Sequence, residues 1–177
     1  MRHFNKIAEG IDFVPVLNAL AVNPDLWNEN DLRTTHPQSP HCQADDIWLW
    51  FNDVGDPEAV VNDKDVIPYR AWNILPVQDL ILDIMRRVRG TRLGRVIISR
   101  LSPGKQIGAH IDQGAPAEYY SRFHICLQSL PGCLNISGGE TVQYRPGEAW
   151  WFDNRAEHAI INNSADDRIV IVMDVRC

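Results

Sequence analysis

A chain of 177 residues with 45% hydrophobic residues has enough apolar material for one domain with a sizeable core. Its net charge of −6 argues against a nucleic-acid partner, because a phosphate-binding face needs clustered Lys and Arg. No apolar run approaches the roughly 20 residues that span a membrane, and the opening MRHFNKIAEG has no apolar stretch of the signal-peptide kind.

The four cysteines, Cys42, Cys126, Cys133 and Cys177, form no C-x-x-C pair. Reduced thiols in a cytoplasmic protein are expected, rather than a disulfide framework or a zinc site. Internal repeats and low-complexity tracts are absent, so residues 1–177 read as a single domain.

In chain order, residues 14–22 fit a short helix. RTTHPQSPHCQADD (33–46) is loop-like, with Pro37 and Pro40 breaking any regular element. DIWLWF (46–51) reads as a strand, with Trp48 and Trp50 on one face as core residues or, less simply, as walls of a cleft. PVQDLILDIMRRVRG (76–90) is the clearest helix: Val77, Leu80, Ile81, Ile84, Met85 and Val88 share one face. Pro76 suits its first position and Gly90 its stop. The basic run RRVRGTRLGR (86–95) reads as the solvated end of that helix.

After Gly94 the pattern changes to short strands and turns. RVIISRL, KQIGAHI, SRFHICLQSL, LNIS, TVQY, AWWF, HAIIN and RIVIVMDV are eight candidate strands. Pro103-Gly104, Pro131-Gly132, Gly138-Gly139 and Pro146-Gly147 mark turns among them. The fold expected is mainly β (α+β): a double-stranded β-helix, the cupin-like jelly roll, over residues 95–177. Residues 1–94 would supply supporting helices over one sheet face and elements on the substrate side.

AHIDQG (109–114) places His110 two residues before Asp112. On a strand such residues project together and can share one metal ion. In a chain with 16 Asp and six His the pair also arises readily by chance. His158, 48 residues after His110, is a third candidate, although alone it reads more simply as a turn histidine. Two histidines and one carboxylate form the facial triad of non-haem Fe(II) oxygenases. Arg168 opens the apolar strand RIVIVMDV, where a guanidinium fork wants a carboxylate. In SRFHICLQ, alternation sets Arg122, His124, Cys126 and Gln128 on one face. That face lines either a polar cavity or the solvent side of an edge strand.

The series SRLSPGKQIGAHID, SRFHICLQ and PGEAWWFDNRAEHAIINNSADDR resembles the aspartyl/asparaginyl β-hydroxylase family of iron(II)- and 2-oxoglutarate-dependent oxygenases, over roughly residues 95–175. The resemblance implies iron binding by His110 and His158, with Asp112 completing the triad where some members carry glycine. It also implies 2-oxoglutarate contacts from Ser99, Arg122, His124 and Arg168, with Arg168 anchoring the distal carboxylate. Fe(II), 2-oxoglutarate and O2 would be the cofactor and cosubstrates. The reaction would hydroxylate an aliphatic carbon of an amino-acid side chain, in a small molecule or a peptide. For a substrate carboxylate, Arg100, Lys105 and Arg155 are candidates by proximity in sequence. QGAPAEYYS (113–121) reads as a mobile lid beside the site. Two other readings stay open: a cupin-type metalloenzyme without 2-oxoglutarate, for which the first-half H-x-H is missing, and a metal-free binding jelly roll. The second would strand charged groups in the sandwich, at a cost of several kcal/mol.

Overall fold

The computed structural model describes residues 1–36, 39–55, 62 and 64–177, which form a seven-stranded and a four-stranded sheet. The strands are β1 (Phe4–Ala8), β2 (Asp45–Phe51), β3 (Ile67–Pro68), β4 (Arg92–Leu101), β5 (Gln106–His110), β6 (Ser121–Gln128), β7 (Cys133–Ser137), β8 (Glu140–Val142), β9 (Ala149–Phe152), β10 (His158–Asn162) and β11 (Arg168–Arg176). The larger sheet runs β1-β9-β6-β11-β4-β2-β3 and the smaller β5-β10-β7-β8. From β4 to β11, successive strands mostly alternate between the two sheets, the winding of a double-stranded β-helix. All eight candidate strands after Gly94 are present.

β11 lies between β4 and β6, which explains its nearly continuous apolar sequence. Ile169, Ile171, Met173 and Val175 join a core shared with the helices. The alternate residues Arg168, Val172 and Asp174 line cavities on the opposite face. β6 divides the same way: Phe123, Ile125 and Leu127 face the helices, while Arg122 and His124 face the smaller sheet. The polar-cavity reading of SRFHICLQ is the observed one.

Two longer helices cover the outer face of the large sheet. They are α1 (Val14–Val22), which buries Val16 and Leu20, and α3 (Gln78–Arg87), which buries Ile81 and Ile84. Arg86, Arg87 and Arg89 beyond that apolar stripe are exposed. Pro76 stands two residues before α3 rather than at its first position. The stop also differs in detail. Arg89, not Gly90, takes the left-handed conformation (φ 54). Gly90 donates its N–H to the Met85 carbonyl at 2.7 Å. A Cβ at Gly90 would overlap Val175 Cγ1, so glycine is needed there for close packing.

Three features of the first 94 residues depart from expectation. β1 and β3 add strands to the two edges of the large sheet. The stretch expected as a loop begins inside a short helix, α2 (Leu32–Thr35); Pro37 lies outside the described residues. Trp48 and Trp50 do not share a face. The β2–β4 register shifts between them, and a bulge re-aims side chains. Ile47, Leu49 and Trp50 therefore pack on the helix side. Trp48 stacks on Phe51 at 4.0 Å between ring centroids, in a cluster with Ile97 on the cavity side. All four cysteines are free thiols. Among the described residues no helix is long and apolar enough to cross a membrane.

Candidate metal and cosubstrate site

His110 ends β5 and His158 begins β10, and the two are direct partners in the β5–β10 register. Ile107 and His110 are three residues apart, so strict alternation would send them to opposite faces. The register shifts between these pairs, with Ile107 opposite Ile160. The bulge turns both side chains inward, and both line the same cavity. Its Gly108 carbonyl accepts a hydrogen bond from His110 Nδ1 at 2.7 Å. The Ala156 carbonyl does the same for His158 Nδ1 at 3.0 Å. A carbonyl only accepts, so each Nδ1 carries a proton, and in the neutral ring each Nε2 then presents a lone pair.

Asp112 lies two residues past His110, beyond the end of β5. Its Oδ1 is 3.5 Å from His110 Nε2 and 3.8 Å from His158 Nε2. One ligand atom from each of the three residues falls within 4.8 Å of the others. His110 Nε2 is buried with no hydrogen-bond partner among the described residues. Three electron-rich atoms converging in a buried place repel one another unless a cation lies between them. The donor set, two imidazole nitrogens and one carboxylate, fits Fe(II) and leaves coordination positions open. Burial alone would raise the Asp112 pKa, but the neighbouring Arg122 guanidinium holds it far below the usual carboxylate range. Burial lowers the pKa of His158, which favours the neutral, ligating form.

A cavity opens from the histidines toward Ser99, Arg122, His124 and Arg168. Arg168 is 1% exposed. Its one hydrogen bond among the described residues runs from Nη2 to Asn135 Oδ1 at 2.8 Å, and no carboxylate pairs with it. Among the described residues, Ser99 Oγ and His124 Nδ1 are buried there without partners, and the Tyr144 hydroxyl is buried without one in a small adjoining pocket that shares His124 and His158. Burial and the nearby Arg168 push the His124 pKa well down, so its ring is neutral. A buried arginine with unpartnered polar groups around it fits a bound dianion such as a keto dicarboxylic acid.

Arg122 is placed differently from a free cation awaiting cosubstrate. Nε and Nη2 donate to the two oxygens of Asp174 at 2.7 and 3.0 Å, and Nη1 donates to Asp112 Oδ2 at 2.5 Å. It borders the cosubstrate cavity with most of its fork already committed.

A second cavity of about 150 Å³ adjoins the first and shares Arg33, His41, Arg122 and Val172 with it. Asp112 and Gln113 lie on one side, Phe51, Ile97 and Val172 on another, and Arg95 borders it too. Arg33 forms a two-point ion pair with buried Asp46 at 2.7 and 3.0 Å. The His41 ring meets His110 edge-on at 5.1 Å, and its Nδ1 is buried without a partner among the described residues. Neither Arg100, Lys105 nor Arg155 lines this space. Arg100 bonds Asp45 and covers Trp27, while Arg155 donates to the Glu118 carbonyl. The segment expected as a lid holds a short helix, α4 (Ala115–Tyr119), whose Ala117 borders the cavity. Tyr120 after it is buried, and its hydroxyl donates to the Lys64 carbonyl at 2.9 Å.

No pattern in the sequence marks Arg33, His41 or Tyr144 as neighbours of this site, nor Asn154, whose Nδ2 donates to Asp112 Oδ2 at 3.1 Å. Arg33 and His41 sit in the segment with no recognisable pattern. For Asp174 the signal was present: a carboxylate in an otherwise apolar strand.

The model for the aspartyl/asparaginyl β-hydroxylase family matches residues 66–177. Among solved structures, a 2OG-Fe(II) oxygenase-family oxidoreductase from Burkholderia pseudomallei is 18% identical with a TM-score of 0.54. The likeness covers 75% of this chain and 66% of that one. The viral collagen prolyl hydroxylase of Paramecium bursaria Chlorella virus-1, solved with 2OG, is 10% identical with a TM-score of 0.59. It covers 99% and 96% of the two chains. At these identities the likeness speaks for the fold. No curated protein sequence matches the chain.

Proposed function

We propose that this chain, which belongs to the aspartyl/asparaginyl β-hydroxylase family, is an Fe(II)- and 2-oxoglutarate-dependent dioxygenase that hydroxylates an aliphatic carbon of an amino-acid side chain, free or in a peptide. The observation that carries the cosubstrate is Arg168, buried and without a carboxylate partner among the described residues, in a cavity that opens on His110 and His158. Removing a cation from water costs several kcal/mol unless an anion meets it. A dicarboxylic cosubstrate supplies that anion.

His110, Asp112 and His158 would hold the iron. The ion, when bound, supplies the activation of dioxygen and the oxidation that side chains cannot perform. The protein's residues do the rest. The Gly108 and Ala156 carbonyls fix both imidazoles with Nε2 inward. Arg168 takes the distal carboxylate of 2-oxoglutarate through its planar fork. The Ser99 hydroxyl is a donor in the same cavity, and the neutral His124 ring forms part of its wall. The second cavity suits the primary substrate. Phe51, Ile97 and Val172 offer an apolar wall for an aliphatic carbon, and His41 and Gln113 offer polar groups beside it. Trp48 stacks on Phe51 and clusters with Ile97, which backs that wall with buried apolar side chains.

The test incubates the protein with Fe(II), 2-oxoglutarate and oxygen alongside free amino acids and short peptides. Succinate release is measured together with a gain of one oxygen in the substrate by mass spectrometry. Succinate that depends on iron is the expected result. A cupin of another chemistry, or a binding protein, would make none. Succinate with an oxygen gained only by a lipid, nucleobase or other scaffold would overturn the substrate class and keep the cosubstrate.

A further inference from the structure

The two oxygens of Asp112 have different surroundings. Oδ1 faces His110 and His158. Oδ2 accepts hydrogen bonds from Arg122 Nη1 at 2.5 Å and from Asn154 Nδ2 at 3.1 Å. Arg122 is in turn gripped at two points by Asp174. Arg122 and Asp174 are directly opposite each other in the β6–β11 register, so the sheet itself sets their pairing.

We propose that Arg122, locked by Asp174, is a positioning residue for the metal carboxylate: it holds Oδ2 back so that Asp112 offers Oδ1 alone to the ion. This rests on the Fe(II) site proposed above. The reason such a clamp is needed lies in the backbone. Both histidines sit on strands, and a carbonyl orients each ring. Asp112 sits past the end of β5, with its N–H 3.3 Å from the Asn154 carbonyl as its backbone tie. An aspartate on such a segment can turn about its side-chain torsions or chelate with both oxygens. Two donors on one oxygen remove that freedom.

The surroundings keep the clamp rigid. Asp174 is 2% exposed. Gly94 lies against it: a Cβ there would be 3.1 Å from Asp174 Cβ and 2.9 Å from the Tyr120 ring. A side chain at position 94 would displace one or the other. Electrostatics points the same way. Asp112 and Asp174 are two carboxylates in a partly dry site, and Arg122 between them leaves the trio with one net negative charge. With three of its five N–H groups committed, Arg122 leaves Arg168 as the cation for 2-oxoglutarate.

The test titrates Co(II) into the full chain without 2-oxoglutarate. Co(II) stands in for Fe(II), and its visible absorption reports ligand number and geometry. Asp174→Asn, Arg122→Lys and Arg122→Met are compared with the unmodified protein, each first checked for folding by circular dichroism. Asp174→Asn should weaken Co(II) binding roughly 10- to 100-fold, the range seen when a partner of a metal ligand is removed, and shift the absorption bands. Arg122→Lys should lose less than Arg122→Met, because an ammonium keeps the charge but cannot grip both carboxylates. If Arg122→Met does not fold, Asp174→Asn decides, since it keeps the side-chain shape. Unchanged affinity and spectrum in folded Asp174→Asn and Arg122→Lys overturn the clamp while leaving the metal site intact. Equal Co(II) binding by the unmodified protein and His110→Ala overturns the metal site, and the clamp with it.

Discussion

His110 and His158, 48 residues apart in the chain, face each other across the β5–β10 pair with ring centroids 4.2 Å apart. Each ring is aimed by a carbonyl two residues before it. Neither can be replaced by the other, because they approach the centre from different strands. His110→Ala and His158→Ala should each lower Fe(II) affinity by at least roughly 100-fold, measured by anaerobic equilibrium dialysis. Iron retention like that of the unmodified protein in both variants would remove the site.

Arg168 separates function from stability. In the ligand-free protein it is a buried cation whose one hydrogen bond among the described residues goes to a neutral amide oxygen, an arrangement that costs folding free energy. Arg168→Met keeps much of the volume and removes the charge. Its melting temperature without ligands should equal or exceed that of the unmodified protein. Its affinity for 2-oxoglutarate should fall at least roughly 100-fold, with Fe(II) still bound. Arg168→Lys should recover only part of that affinity, since an ammonium cannot reproduce the fork. Isothermal titration and thermal melting check the two halves, and an unchanged 2-oxoglutarate affinity in Arg168→Met contradicts the role.

The strands after Gly94 were legible because period-two alternation and Pro-Gly or Gly-Gly turns are local signals. The triad and Arg168 were legible because their side chains stand on strands, or close to a strand end, at spacings that alternation can read. The role of Arg122 was not. Alternation places it on the cavity face but says nothing about Asp174, which meets it only through the β6–β11 register 52 residues away. Trp48 and Trp50 defeated the same rule, because a bulge inserts an extra residue and changes the face. β1 has too short and too mixed a pattern to announce a strand, and forms by pairing with β9. Arg33 and His41 reach the site from the stretch around α2, whose placement depends on the Arg33–Asp46 ion pair rather than on periodicity.

His124 links the cosubstrate cavity to pH. Burial, then Arg168 and Arg122, hold its pKa well below the ordinary value of 6.5. The unfolded chain takes up a proton below about pH 6.5 that the folded protein refuses, so stability is undisturbed above that value and declines as pH falls. The metal-free protein should therefore melt at a lower temperature at about pH 5 than at about pH 8. His124→Asn, which cannot titrate there, should show a smaller drop. Burial shifts His41 and His158 in the same direction, so some slope will remain. Identical slopes in the two proteins would exclude His124 as a contributor.

Asp112 gives the most discriminating experiment, because some relatives are expected to carry glycine at its position. Asp112→Ala removes one of the two carboxylates on Arg122 and leaves Asp174 holding the guanidinium at two points, so the fold should survive. Two histidines and a chelating keto acid still provide four ligand atoms. Fe(II) affinity without 2-oxoglutarate should therefore drop at least roughly 10-fold in Asp112→Ala, and much of that loss should return once 2-oxoglutarate is added. Asp112→Gly should keep measurable succinate formation for the same reason. In both variants Arg122 loses its hold on Oδ2, so Asp174→Asn should add little to the loss in Fe(II) affinity. That absence of additivity is the mark of two residues acting through one ligand. Independent, additive losses would mean that Asp174 supports the site by some route other than Asp112.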